Sequence, residues 1–225
     1  MWVKICANTN LDDALLAAEL GADAIGFVFA PSARRVTAQQ VATITPYLPK
    51  SAEKVGVFTT TDADEILAAA KEAGLSAVQL HSDFDPDLID AVVAGSKGTL
   101  KVLPVLDIPA DVDTAVLREV LTEVLRHWYV FAVLLDASHG GASGGTGKVF
   151  DWESTATVVR EVQRETGGKV IIAGGLHAEN VGAAIAAFAP WGVDVASGVE
   201  SVPGKKDPER LRAFLKAARD TSHLK

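Results

Sequence analysis

Two side chains in this sequence combine reactive chemistry with a telling position: Cys6, the one cysteine of the chain, and Asp136. Cys6 closes the apolar run Trp2-Val3-Lys4-Ile5-Cys6 just ahead of the polar turn Asn8-Thr9-Asn10, and Asp136 closes Val133-Leu134-Leu135-Asp136. Each ends a segment that reads as a strand. In a ring of strand-helix repeats, the carboxyl ends of strands carry the catalytic groups, so a thiol and a carboxyl there are candidates for nucleophilic or acid-base work. The alternatives are a small inert hydrophobe for the cysteine and a hydrogen-bonded rim group for the aspartate.

Residues two apart on a strand share a face, so Lys4 lies on the side of Cys6 while Val3 and Ile5 turn toward the helices. The same phase puts Gln79 and His81 on one face and leaves Asp194 between two apolar neighbours, Val193 and Val195. Polar groups facing inward lose hydration unless they are paired or used. A structural polar network inside the barrel is the alternative for each of them.

Two glycine clusters follow the last two expected strands: Ala173-Gly174-Gly175-Leu176 and Ala196-Ser197-Gly198-Val199-Glu200. Loops in those positions of a barrel frequently bind phosphate, because glycine lets backbone N–H groups approach closely; Gly174, Gly175, Ser197 and Gly198 are the candidates. The expected ligand is a small phosphorylated molecule. Past the second strand, Arg34 and Arg35 offer a guanidinium fork to an acidic group, with surface exposure as the alternative. The glycine-rich stretch 139 to 148 is not a P-loop, since Ala142 and Val149 stand where glycine and Ser or Thr are needed. It reads as a lid over a ligand or as a connector. There is no HExxH, no cysteine pair and no cluster at metal-ligand spacing, so a metal site is not expected.

The elements that must position these groups alternate from end to end. Strands are expected at 3–7, 24–29, 54–60, 77–81, 100–106, 129–136, 169–173 and 193–197, with helices beginning near Leu11, Thr37, Asp62, Pro86, Val112, Trp152, Ala178 and Pro208. Asn10, Asp62, Asp85 and Asp207 read as N-caps, Pro86 and Pro208 suit the first helical position, and Gly21, Gly74 and Gly167 stand where helices stop. In the fifth helix Leu117, Val120, Leu121, Val124 and Leu125 form one apolar stripe. Eight units in 225 residues, about 28 per repeat, predict a single (β/α)8 TIM barrel over 1–225 rather than an open doubly wound sheet. In a closed barrel the eighth strand neighbours the first, so Asp194 is expected to pair with Lys4.

Apolar residues make up 48% of the chain and charged ones 22%, enough for a core and too ordered a mixture for disorder. A net charge of −8 disfavours nucleic acid and anionic membranes as partners. One cysteine excludes an internal disulfide, and the polar interruptions near Lys4 and Asn8 leave no secretory apolar segment, so a cytoplasmic location is expected. The uncharged run from Val181 to Val193 holds Pro190, is too short to span a membrane and reads as a buried helix running into a strand. Oligomeric state stays open, because an apolar patch on an outer helix looks the same in sequence as core.

Taken together, Lys4-Ile5-Cys6, Gln79-Leu80-His81, Gly145-Thr146-Gly147-Lys148 with Phe150-Asp151-Trp152, Gly174-Gly175-Leu176 with Glu179-Asn180-Val181, and Ser197-Gly198-Val199-Glu200 with Pro203-Gly204-Lys205-Lys206-Asp207 resemble the phosphoribosylanthranilate isomerase family. The resemblance runs from the first strand to the last helix. It implies a cofactor-free Amadori rearrangement in tryptophan biosynthesis, with Asp136 as general acid, Cys6 as general base, Arg34 on the substrate carboxylate, the two glycine loops on the phosphate and His81 at the pocket rim. Lys4 is a candidate for lowering the thiol's pKa. Three positions depart from the family pattern: Ala7 for glycine after the cysteine, Ala33 for proline in Ser32-Ala33-Arg34, and Ser82 for glycine after His81. If residue 7 needs positive φ, alanine there is strained. The rival readings are the histidine-pathway aminoaldose isomerase, which uses two aspartates, and a barrel that binds a phosphorylated ligand without catalysis.

Overall fold

The computed structural model of the chain describes residues 1–109, 112–137 and 152–220. Eight parallel strands close into a barrel in sequence order: β1 (Trp2–Ile5), β2 (Ala24–Val28), β3 (Glu53–Phe58), β4 (Ala77–Leu80), β5 (Lys101–Asp107), β6 (Val133–Asp136), β7 (Val170–Ala173) and β8 (Gly192–Val195). Helices α1 (Leu11–Glu19), α2 (Ala38–Ala42), α3 (Ala63–Ala73), α4 (Pro86–Gly95), α5 (Thr114–Arg126), α6 (Trp152–Thr166), α7 (Val181–Phe188) and α8 (Pro208–Asp220) alternate with them. A two-stranded hairpin, β9 (Glu200–Val202) and β10 (Lys205–Lys206), lies between β8 and α8. The closed barrel is the architecture expected from the alternation, and the glycine-rich stretch 139–148 lies outside the described residues. Among those residues, no helix is long and apolar enough to cross a membrane.

Local signals set the helix ends. The side chains of Asn10, Asp62 and Asp85 accept first-turn N–H groups of α1, α3 and α4, and Asp207 accepts from Glu209 and Arg210 at the start of α8. Gly21, Gly74 and Gly167 take positive φ of 90°, 64° and 70° just past helix ends. Strands run up to a few residues shorter than the sequence pattern predicts, the sixth most of all, and the second helix is brief. The sixth strand begins at Val133 rather than 129, because Trp128 and Tyr129 form an exposed turn and only Val130 bridges to Val102. Helix α2 stops at Ala42 and a 3-10 turn, Thr45–Tyr47, takes over where Pro46 removes a donor.

The strand phase divides the core into two layers. Val3, Ile5, Ile25, Val133 and Val193 point outward and pack beneath the helices, Leu117, Leu121 and Val124 of α5 among them. Ala24, Val55, Ala77, Leu103, Leu134 and Ile171 fill the barrel interior. Trp2, Phe131 and Trp191 close its amino-terminal end, the two indoles stacked at 5.0 Å. The other end, at the carboxyl termini of the strands, carries the polar groups.

Candidate active site at the carboxyl end of the barrel

Closure of the sheet pairs β1 with β8 in a register that sets Lys4 directly beside Asp194. Lys4 is wholly buried, and its Nζ donates to Asp194 Oδ2 at 2.6 Å and to Gln79 Oε1 at 2.7 Å. The expected Lys4–Asp194 ion pair is therefore present, with Gln79 as a third member. Burial works against charge on Lys4, yet Asp194, and Cys6 beyond it, outweigh burial and raise the ammonium's pKa. For Asp194 burial dominates: its pKa is raised despite Lys4, and its second oxygen, Oδ1, is buried with no hydrogen-bond partner among the described residues.

Cys6 follows directly on β1 and is 7% exposed. Gly26 on β2 leaves room for it, since a Cβ there would sit 2.8 Å from Cys6 Sγ and 3.0 Å from Lys4 Cε. The main chain around the thiol is tied down on both sides. Cys6 N donates to Val195 O at 2.8 Å, while Asn8 donates to Gly26 O through both its N, at 2.9 Å, and its Nδ2, at 3.1 Å. Between them Ala7 is held at φ 62°, so the left-handed backbone that glycine would adopt freely is imposed here on an alanine. Burial pushes the Cys6 thiol above its ordinary pKa; Lys4 and Lys206 pull the other way without prevailing. The lowering of the thiol's pKa looked for from Lys4 is thus outweighed, because desolvation of the thiolate is the larger effect.

Asp136 ends β6 in the inward phase of Leu134, its register partner on β7 being Ala173 of the interior layer. One ligand atom each from His81, Asp107 and Asp136 lies within 4.8 Å of the others, a grouping delivered by three consecutive strands that no local spacing announces. His81 Nε2 lies 3.2 Å from Asp107 Oδ1. Asp107 is the member that the sequence pattern missed.

Arg34 lies in the turn after β2, where its Nε and Nη2 grip both oxygens of Glu200 at 2.7–3.0 Å. Among the described residues its Nη1 has no acceptor. Glu200 stands at the start of β9 and also accepts from Gly204 N at 3.2 Å and from Lys206 Nζ at 3.3 Å. Burial opposes its charge, but the bonds from Arg34, Lys206 and Gly204 hold its carboxyl below the usual range. Neither Glu200 nor Lys206 stood out as a site residue in the sequence. With two adjacent lysines on a two-residue strand, strand alternation turns one inward without saying which.

The glycine loops after β7 and β8 lie against each other. Gly174 and Gly175 take positive φ of 91° and 63°, and a Cβ on Gly198 would fall 1.9 Å from Leu176 O, so only glycine permits this contact. Asn180 fixes the first loop, accepting from His177 N at 2.8 Å and donating to Gly175 O at 3.0 Å. Ser197 opens a 3-10 turn, Ser197–Val199.

Residues 3–217 match the family described as N-(5'-phosphoribosyl)anthranilate (PRA) isomerase. The chain belongs to this isomerase family. N-(5'-phosphoribosyl)anthranilate isomerases of Pelobacter propionicus and Rubrobacter xylanophilus are each 40% identical to it, over 97% and 96% of this chain and 96% and 98% of theirs. Crystallised phosphoribosyl anthranilate isomerase from Thermotoga maritima superposes with a TM-score of 0.81 at 35% identity, covering 98% of this chain and 99% of that one. A second solved isomerase, in complex with reduced 1-(o-carboxyphenylamino)-1-deoxyribulose 5-phosphate, gives 0.79 at 33% identity with the same coverage.

Proposed function

We infer that the chain catalyses the Amadori rearrangement of N-(5'-phosphoribosyl)anthranilate to 1-(2-carboxyphenylamino)-1-deoxyribulose 5-phosphate, a step of tryptophan biosynthesis. Asp136 is the general acid and Cys6 the general base. Protonation of the ribose ring oxygen by Asp136 lets the C1–O bond break as the anilino nitrogen supplies its electron pair, giving a Schiff base. Cys6 then takes the C2 proton, and the electrons left behind form an enolamine. The enolamine tautomerises to the aminoketose. C1 is reduced and C2 oxidised within one molecule, so the balance closes with proton transfers alone.

The observation that carries this reading is the placement of Cys6 and Asp136 at the carboxyl ends of β1 and β6, facing one barrel mouth from different sides. Opening the ring and removing the C2 proton require an acid and a base that do not neutralise each other, and the two strands are separated by β7 and β8. Arg34 takes the anthranilate carboxylate through Nη1, its other edge being held by Glu200. Gly174, Gly175, Ser197 and Gly198 take the phosphate through main-chain N–H groups, with the ligand of the solved relative as support for a phosphorylated small molecule. His81 lines the rim, and Lys4 with Asp194 forms the polar floor. A phosphorylated intermediate does not cross membranes unaided, and the cytoplasm is the location that suits the reaction.

The test is the decay of anthranilate-type fluorescence when substrate generated in situ meets the protein. Wild type is expected to consume it rapidly. Cys6→Ser and Asp136→Asn are expected to lose about 10²–10⁴-fold in kcat, the range of a positioned acid or base. Loss no faster than the spontaneous reaction with wild type would refute the assignment, and the histidine-pathway aminoaldose would be the next substrate to try.

A further inference from the structure

Glu200 and Lys206 touch no reacting atom in the scheme above, yet both are charged and buried at the edge of the site. Stability alone is a weak reason for them, because a buried ion pair rarely outperforms apolar residues of the same volume. Their contacts supply a better one. An ammonium has three N–H donors, and each on Lys206 has an acceptor: Cys6 O at 2.5 Å, Glu200 Oε1 at 3.3 Å and Ala196 O at 3.4 Å.

The three acceptors belong to three parts of the site. Cys6 bears the thiol, Ala196 immediately precedes Ser197 and Gly198, and Glu200 grips the guanidinium of Arg34. The hairpin that carries both residues is itself fastened to the segment after β1. Thr9 Oγ1 donates to Gly204 O at 2.6 Å, and Lys206 N donates to Asp13 Oδ2 at 2.8 Å.

We propose that Glu200 and Lys206 are a positioning pair, which sets the thiol-bearing main chain, the glycine loop after β8 and the Arg34 fork in one mutual geometry. The proposal rests on the isomerase reading. Glu200 acts on the substrate through Arg34: with Nε and Nη2 held, the guanidinium cannot swing, and its remaining edge is aimed before a carboxylate arrives. Lys206 acts through Cys6, fixing the carbonyl next to the strained Ala7 and placing a cation near the sulfur. The charged groups facing that sulfur are Lys4 from β1, Asp194 from β8, Lys206 from β10 and Arg34 from the turn after β2.

A double-mutant cycle between Glu200 and Arg34, together with titration of the thiol, tests this. Glu200→Gln keeps the volume and an acceptor, and it is expected to raise KM roughly tenfold or more while kcat changes little. Arg34→Ala is expected to raise KM, and Glu200→Gln in the Arg34→Ala background to add nothing further. Cys6 is the one cysteine, so the pH dependence of alkylation by iodoacetamide reads its thiolate directly. In Lys206→Met its midpoint should move up by roughly one pH unit or more.

A folded Glu200→Gln protein with wild-type KM, or effects that multiply in the double variant, would overturn the Glu200 part. An unchanged alkylation midpoint in folded Lys206→Met would overturn the Lys206 part. If Lys206→Met does not fold, the Glu200 cycle decides alone. A wild type that leaves the substrate untouched defeats the isomerase reading, and the alkylation midpoints still decide whether Lys206 tunes the thiol.

Discussion

The two ends of the barrel solve opposite problems with similar residue types. At the amino-terminal end, Trp2 and Trp191 stack, Phe131 meets Trp191 edge-on at 5.5 Å, and Lys169 lies over the rings of both Phe131 and Trp191. Charge there rests on aromatic faces and on the partly exposed Lys101–Glu53 pair, and at the end of α5 His127 Nδ1 is buried with no partner among the described residues. At the carboxyl end, Lys4 and Lys206 are buried among carboxylates and carbonyls, Ala7 is held in the left-handed region, and Asp194 Oδ1 and Asn8 Oδ1 lack partners among the described residues. Left-handed non-glycine residues occur at both ends, Ala7 at one and Lys97 and Ala189 at the other, so what separates the two is the buried charge of the carboxyl end against the aromatic closure of the amino end.

The two buried lysines sharpen the contrast within the active end. Lys4 meets a carboxylate at 2.6 Å, and its pKa is raised despite burial. Lys206 has its carboxylate at 3.3 Å and two carbonyls besides; burial prevails and its pKa is lowered. Distance to the counter-charge decides between these outcomes, since the Coulomb gain falls with separation whereas the desolvation cost does not. Lys4 is thus a fixed structural charge, and Lys206 a softer one next to the thiol.

Three experiments can break or refine this division. Trp191→Ala removes the centre of the amino-terminal plug and is expected to cost about 3 kcal/mol in urea unfolding, the low end for a large aromatic because the ring is only partly buried. Its kcat should match wild type, and a large fall in kcat would show that the two ends are coupled.

The pH profile comes next. Burial raises the Cys6 pKa, so the protonated thiol predominates at neutral pH and a base must lose that proton first. The sign follows: the rate of Cys6 alkylation should rise close to tenfold per pH unit and keep rising past about 8.5, the ordinary thiol value. A plateau reached below that value would mean that the free enzyme holds a thiolate.

The smallest effect is at Ala7. A non-glycine residue in the left-handed region costs about 1–2 kcal/mol, of which part is returned as unfolded-chain entropy when glycine is introduced, so Ala7→Gly should stabilise by roughly 0.5–1 kcal/mol. A thermal melt checks it. A lower melting temperature would mean that Cys6, Asn8 and Lys206 hold this turn without strain.

Much of the scaffold and half of the site were legible in the chain itself. Short apolar runs separated by capped helical segments specify eight strand-helix units, because caps, proline and glycine act within a few residues of where they stand. Strand alternation alone was enough to put Lys4 inward and Val3 and Ile5 outward. The Lys4–Asp194 pair was also within reach, since closure of a barrel makes first and last strands neighbours. Val130 shows the limit: its apolar run looked like strand, but the backbone pairs there through a single bridge.

What the sequence determined by itself, then, is the repeat, the phase of each strand, the family and the reactive groups at the strand ends. Tertiary structure decided which charges meet. Glu200 and Arg34 are 166 positions apart and Lys206 and Cys6 are 200 apart, so no local pattern could pair them. It also decided the direction in which the thiol titrates, because that depends on a competition between desolvation and two lysines at distances only the closed barrel sets.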